Sequence, residues 1–258
     1  MARGRLPVPA PNRTEKEAIP VMSIYAISDL HGYPMPKFLA LLEKVGFSDE
    51  DTLYIIGDVI DRNGDGGVEM LRYIMDQPNY EFILGNHEDM LLACEFLLDE
   101  ITAESIAALT EDQIRAMERY MRNGGGVTLD TLRRLNREDP TAVRDIMEFL
   151  KDAPLYGAES VNGRDFLFVH GGLGDFSPEK KLRDYPPFKL LWERPTIDAE
   201  YFDDIITVFG HTPTHFYGDE YYGKAIFTRT WINIDTGTST GIPPALLRLD
   251  DLQVFYGD

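Results

Sequence analysis

Short apolar runs alternate with amphipathic stretches along the first third of this chain. Ile24-Tyr25-Ala26-Ile27 carries no polar residue, which is the pattern of a strand covered on both faces. Residues 37–45 repeat apolar positions at helical spacing and stop at Gly46, a residue suited to a left-handed helix end. A second strand at 52–56, a second helix at 68–75 and a third strand at 81–84 follow. Strands alternating with helices predict a largely parallel sheet that offers ligands at its carboxyl edge. From Glu88 to about Leu150 the pattern is helical almost throughout. Thr110-Glu111-Asp112-Gln113 has the form of a capping box, and Asp139-Pro140 that of an N-cap followed by a first-turn proline. Gly124-Gly125-Gly126 interrupts this stretch as a loop. Strand patterns return at 166–169, 205–209 and 231–234, then at 245–249 and 253–256, the last two joined by Asp250-Asp251 and expected to be antiparallel. The expected fold is α/β, with two sheets packed face to face, helices outside and a helical insertion at about 88–150. No internal repeat is visible.

Composition narrows the function classes. The 258 residues carry a formal net charge of −19, so the surface repels a nucleic-acid duplex, although a local cationic pocket remains compatible with it. One cysteine permits no disulfide within the chain, and Cys94 sits in an apolar helical run, as a buried residue would. No run approaches the ~20 apolar residues of a membrane span. Residues 1–22 read as a flexible extension rich in arginine and proline, without the apolar segment of a secretory signal, and Met22 is a second candidate start. Residues 23–258 read as a single domain, and a cytoplasmic location is expected. The acidic clusters Asp49-Glu50-Asp51 and Glu100 to Glu111 read as solvated turns and helix faces, the first equally able to cap a helix end.

The chemistry sits directly after the apolar runs. Asp29-Leu30-His31, Gly57-Asp58-Val59-Ile60-Asp61-Arg62 and Gly85-Asn86-His87-Glu88 each follow a strand pattern, roughly one strand–helix unit (~30 residues) apart. Four of the five histidines, His31, His87, His170 and His211, stand at strand ends or in glycine-rich turns; His215 is left over as a surface or loop residue that could still line a pocket. Carboxylate, imidazole and amide oxygen together suit a pair of divalent ions. Asp58, opening its loop right after a strand, is the natural bridge. Asp29 and His31, two positions apart in an extended segment, point the same way and complete one ion. Asn86, His170 and His211 complete the other. The mixed donors favour Mn²⁺ first, with Fe or Zn²⁺ as alternatives.

In this order the fragments D-x-H, G-D-x-x-D-R, G-N-H-E, a distal histidine and G-H-T resemble the calcineurin-like metallophosphoesterase superfamily. Arg62 after Asp61 and Glu88 after His87 make the chain similar to its Ser/Thr phosphoprotein phosphatase branch, which includes bacterial and phage phosphatases and diadenosine tetraphosphatases. The likeness runs from about Ile24 to Thr240. It implies a four-layer fold of two sheets flanked by helices and the same six metal ligands. It further implies that His87 is a general acid oriented by Asp61, and that Arg62 and Arg194, the latter in Trp192-Glu193-Arg194, grip the phosphoryl group. The implied reaction is direct in-line attack on phosphorus by a metal-bridged hydroxide, with no phosphoenzyme. Asn63 stands where the family usually has glycine, and Leu84 where its protein phosphatases often have arginine. These departures spare the ligands and loosen the substrate assignment.

The leading reading is therefore a dimetal Ser/Thr protein phosphatase acting on a phosphoprotein or a small phosphoester, with a bis(5'-nucleosyl)-tetraphosphatase as the alternative. A catalytically inactive metal-binding interaction module is a third reading, disfavoured because every inferred ligand, His87, Asp61 and Arg62 are present. The oligomeric state is not readable. Asp235-Thr236-Gly237-Thr238 resembles an aspartic-protease signature, but that chemistry needs two such carboxylates and a single copy is present, so it reads as a strand-to-turn segment near the metal edge. Asn123-Gly124-Gly125-Gly126 lacks the lysine of a phosphate-cradling loop and reads as a plain loop, with a substrate-side role for Asn123 as the alternative.

Overall fold

A chain whose strands are apolar on both faces must cover both faces, and this one does so by stacking two sheets and placing helices outside. The structure is a computed structural model and describes residues 22–99 and 102–258. The extension expected over 1–22 lies, apart from Met22, outside the described residues. β1 (Ile24–Ile27), β2 (Thr52–Ile56) and β3 (Tyr80–Ile83) run parallel and are linked by α1 (Met35–Val45) and α2 (Val68–Met75). α1 begins two residues earlier than the periodicity suggested, because Pro36 fits a first helical turn that needs no amide donor.

The second sheet is built from β4 (Tyr156–Val161), β5 (Arg164–Val169), β6 (Ile205–Phe209), β7 (Ile226–Phe227) and β8 (Trp231–Asn233), in the order β4-β5-β6-β8-β7. β5, β6 and β8 are parallel, while β4 and β7 close the edges antiparallel. Those two edge strands were not visible in the apolar pattern. The final hairpin, β9 (Ala245–Arg248) and β10 (Gln253–Tyr256), is antiparallel as expected. It returns to the first sheet beside β1, giving the order β10-β9-β1-β2-β3.

Strand alternation sorts the core. Ile24, Ala26, Tyr54, Ile56 and Ile83 meet Phe166, Phe168, Val208 and Ile232 between the sheets. Their neighbours Tyr25, Ile27, Leu53 and Ile55 turn outward onto Phe38, Leu41, Leu71 and Ile146 of the helices. Tyr54 stacks on Phe168 with ring centroids 4.1 Å apart, and its hydroxyl reaches Glu159 at 3.1 Å. Each such fully buried aromatic or aliphatic side chain contributes about 1.5–3 kcal/mol relative to exposure.

Between the sheets in sequence come α3 (Asn86–Ala93), α4 (Ala103–Ala107), α5 (Glu111–Arg122), α6 (Gly126–Glu138) and α7 (Pro140–Asp152); α8 (Pro187–Leu191) follows β5. The capping box at Thr110 and the Asp139 N-cap both form. Gly126 opens α6 rather than ending a long loop, so the triple glycine is a tight turn between two helices. Cys94 is buried at the end of α3. Asp51 departs from the expectation of a solvated turn. It is buried, and its carboxylate accepts from the amides of Ser23 and Ser48, locking the α1–β2 connection to the start of β1. Among the described residues no helix is long and apolar enough to cross a membrane.

Candidate metal centre

The carboxyl ends of β1, β2 and β3 lead into Asp29, Asp58 and Asn86, and those of β5 and β6 lead into His170 and His211. Stacking the sheets brings these ends to one edge. The loops are stitched by backbone bonds: Asp29 N to Gly57 O (3.1 Å), His31 N to Asp58 O (2.9 Å) and Gly32 N to Val59 O (2.9 Å). Asp29, His31, Asp58, Asp61, Arg62 and His211 all take positive φ, between 44° and 76°. Each such non-glycine residue stores on the order of 1–3 kcal/mol, and strain of this kind gathers at functional sites. Gly85 and Gly210 answer a different need. A Cβ on Gly85 would strike the Asp58 carboxylate and amide, and one on Gly210 would strike the Asp29 carboxylate.

All ten residues singled out in the sequence converge here. His31 Nε2 lies 3.7 Å from Asp58 Oδ2 and 4.0 Å from Asp29 Oδ1, while its Nδ1 donates to Ile60 O at 3.0 Å. His170 Nε2 lies 3.3 Å from Asp58 Oδ1 and 2.9 Å from Asn86 Oδ1, with Nδ1 donating to Ile56 O at 2.9 Å. Asp29 accepts the His211 amide on both oxygens, at 3.1 and 2.9 Å, so the two sheets are joined through residues 182 apart in sequence. The His211 ring sits 5.1 Å from that of His170. Ligand atoms of His31, Asp58 and His87 fall within 4.8 Å of one another, as do those of Asp58, His170 and His211. Asp58 is common to both groups.

This donor set fits divalent cations. His211 Nε2 is buried with no hydrogen-bond partner, a cost of about 1–3 kcal/mol that a bound ligand would relieve. Burial, against the pull of Asp58, drops His31 to about 3; burial, reinforced by His170 and Arg194, drops His211 to about 2. Both rings are thus neutral near pH 7, with lone pairs to offer. Burial also raises Asp29 to about 6. Burial alone would lower His170, but Asp58 and Asp29 lift it to about 10, so in this structure a proton on His170 offsets the Asp58 charge. Burial alone would raise Asp58, but His170 and His87 hold it well below the carboxylate range.

A second set surrounds His87. Its Nδ1 donates to Asp61 Oδ2 at 2.6 Å, its amide donates to Asp58 Oδ1 at 2.9 Å, and Arg62 Nη2 donates to its Nε2 at 3.2 Å. Burial would lower this imidazole, but Asp58 and Asp61 outweigh it and the net direction is up. Arg194 Nη1 donates to His211 O (3.0 Å) and Thr212 Oγ1 (3.2 Å). Arg62 and Arg194 face a cavity of about 250 Å³ with His31, Asp58, His87 and His211 in its wall. A larger apolar cavity, about 630 Å³ and lined by Leu97, Ile106, Met117 and Leu129, lies by α4, α5 and α6 and holds none of these residues.

Four residues of the site had no role assigned from the sequence. Glu88 accepts from the amides of Asp58, Val59, Ile60 and Gly85, at 2.9, 2.9, 3.3 and 3.1 Å, and so clamps two ligand loops together. Asp235, after β8, lines the cavity, and burial together with nearby Asp29 pushes its carboxyl well up. Its turn was expected near the metal edge, and the cavity wall is where it lies. Tyr120 and Thr128, from α5 and α6, bond to Asp61. Asn123, still in its turn, and His215 also line the cavity, the position the sequence left open for each.

A family model described as calcineurin-like phosphoesterase matches residues 22–235. Curated relatives from Salmonella typhimurium and Salmonella typhi, both described as symmetrical bis(5'-nucleosyl)-tetraphosphatases, are 42% identical over 74 residues. That stretch is 28% of this chain and 26% of each relative, so the match spans about a quarter of their length. Among solved structures, a protein assigned as a diadenosine tetraphosphatase superposes with a TM-score of 0.58 and 16% identity, over 92% of this chain and 94% of that one. A protein serine/threonine phosphatase from Saccharomyces cerevisiae superposes with a TM-score of 0.60 and 16% identity, over 94% and 81%. At such identity the likeness is one of fold.

Proposed function

The chain belongs to the calcineurin-like phosphoesterase family, and on that premise we propose that it is a dimetal phosphoester hydrolase, of Ser/Thr protein phosphatase type. The observation that carries the dimetal reading is Asp58, shared between one group of donors with His31 and another with His170 and His211. Asp29, His31 and Asp58 would hold one ion, and Asp58, Asn86, His170 and His211 the other, with Mn²⁺ the first choice. Asp29 is preferred to His87 as a ligand because His87 Nε2 is engaged by Arg62, outside the donor set, whereas His170 Nε2 meets only members of the set, Asn86 and Asp58. Bound, the ions would supply Lewis acidity and a water nucleophile at neutral pH.

The chain's own residues do the rest. Arg62 and Arg194 offer planar donor forks to the phosphoryl oxygens. Turning toward substrate, Arg62 releases His87 Nε2, which then takes a proton from solvent water and delivers it to the leaving oxygen. Asp61 holds the ring by Nδ1 and keeps its own negative charge throughout. A positioned acid of this kind contributes about 10²–10⁴-fold.

The second substrate reading, dinucleoside polyphosphate hydrolysis, is supported by the 42% identity over 74 residues. Initial rates in Mn²⁺ on a phosphothreonine peptide and on diadenosine tetraphosphate separate the two. The phosphatase reading expects the peptide to lead in kcat/KM. Preference for the nucleotide replaces it with the second reading. Inactivity on both, with Mn²⁺ bound, counts against both substrates.

A further inference from the structure

Asp61 is gripped from the side away from His87. Its Oδ2 takes the His87 Nδ1–H, and its Oδ1 accepts from Tyr120 (2.8 Å) and from Thr128 Oγ1 (2.6 Å). Tyr120, Thr128 and Asp61 are all fully buried, so no solvent competes for that oxygen. The Thr128 hydroxyl has one proton to give. Gly66 O lies 3.1 Å away, but the shorter bond, to the Asp61 carboxylate, is the stronger, and the same Thr128 Oγ1 also accepts the Asp61 amide at 3.1 Å. Burial and the Asp61 charge push the Tyr120 phenol well up, which keeps it a donor.

Glycines lie directly against both side chains. A Cβ on Gly125 would collide with the Tyr120 ring, and one on Gly66 would collide with Thr128. The same α5–α6 turn accepts the Arg62 amide on Gly124 O at 3.2 Å. The helical stretch therefore reaches the His87 system through four hydrogen bonds: three between Asp61 and the hydroxyls of Tyr120 and Thr128, and one from the Arg62 amide to a carbonyl.

We infer that Tyr120 and Thr128 are positioning residues for proton donation, fixing Asp61 so that His87 Nε2 faces the leaving oxygen. The inference rests on the reading of His87 as the acid. In that step the P–O bond breaks, its electron pair passes to the leaving oxygen, and that oxygen takes the His87 Nε2 proton. Asp61 stays ionised, and the two donated hydrogen bonds stabilise its charge while the imidazole goes from cation to neutral. Losing one donor loosens Asp61 and tilts the ring. The effect grows with the leaving group's need for a proton.

The test is a leaving-group comparison on the Mn²⁺-loaded protein, phenyl phosphate against p-nitrophenyl phosphate. Tyr120→Phe and Thr128→Val are expected to cost about tenfold in kcat on phenyl phosphate, a fraction of a full acid's worth, and no more than about threefold on p-nitrophenyl phosphate. Thr128→Ser keeps the hydroxyl and restores the phenyl phosphate rate to within about twofold. His87→Asn is the reference. If it slows phenyl phosphate selectively while Tyr120→Phe and Thr128→Val slow both substrates alike in step with a lower melting temperature, the two hydroxyls are structural only and the inference is overturned. If His87→Asn itself shows no selectivity, the acid reading fails and takes the inference with it. Adding Tyr120→Phe to His87→Asn is expected to bring no further selectivity; an additional selective loss would place Tyr120 on a route that does not pass through His87.

Discussion

Glu88 shows how much of this site depends on a residue that faces away from it. One carboxylate accepts four backbone amides, from Asp58, Val59, Ile60 and Gly85, and so fixes where Asp58 and Asn86 can be. Glu88→Gln turns one acceptor into a donor facing amides. That leaves one or two buried N–H groups without partners, a cost of about 2–4 kcal/mol. Urea unfolding should show that loss, and Mn²⁺ affinity, read by titration calorimetry, should fall with it; an unchanged midpoint would remove the clamp from the account. The proposed ligands were legible because each stands at a strand end in a short motif of fixed order. Glu88 was visible only as a neighbour of His87, since nothing local says which way its side chain turns. Tyr120 and Thr128 were hidden more deeply, 59 and 67 residues from the Asp61 they hold, in helices whose periodicity records only an apolar stripe.

Helices and strands differ in how openly they declare themselves. The ends of α5 and α7 were legible because capping is local chemistry. Asp139 accepts the Ala142 amide at 3.1 Å, with Pro140 opening the helix behind it. Asp139→Ala should therefore cost about 1 kcal/mol, within the range of N-cap deletions. In a chain of this size that is about 2–4 °C of melting temperature. Phosphoesterase activity at 25 °C should stay put, and a matching fall in activity would tie α7 to the site. β4 and β7 were missed because edge strands pair on one side only and need less apolar surface. Tyr-Gly-Ala-Glu-Ser-Val is a poor strand by composition. Its signal was in the turn that follows: Asn162-Gly163, with φ of 52° and 77°, is the two-residue hairpin that joins β4 to β5. The destination of β9 and β10 had no local signal at all. Their hairpin pattern was plain, but which sheet they would join depends on a free edge beside β1 that exists only once the first sheet has formed.

At the scale of the whole molecule, charge and metal pull against each other. The chain carries a formal charge of −19 and buries Asp29, Asp58 and Asp235 within one small volume. Self-repulsion of this kind destabilises the compact state. A bound divalent pair would offset it where it is densest, binding the folded form alone. At a free Mn²⁺ concentration of about 100 times Kd the gain per site is about 2.7 kcal/mol. Chelation should lower the melting temperature by several degrees, Mn²⁺ should restore it, and Ca²⁺ should restore less, since imidazole donors suit it poorly. A melting temperature indifferent to chelator would speak against any bound ion. The largest-scale feature was read correctly from the sequence: two apolar-faced sheets flanked by helices.

The hydrogen bonds from the His211 amide to the Asp29 carboxylate cross the seam between the sheets. Asp29, His31, Asp58 and Asn86 come from one side of it, and His170, His211 and Arg194 from the other. The helical stretch that connects the halves is the length of chain over which they could be parted. A chain supplied as two segments divided at the exposed turn before Thr110 would carry an incomplete set of the proposed ligands on each, with β9 and β10 on the second segment and the β1 they pair with on the first. On the function proposed above, neither segment would hydrolyse a phosphoester alone, and activity is expected only when the two meet. The protein would then behave as a proximity reporter whose output is turnover rather than light.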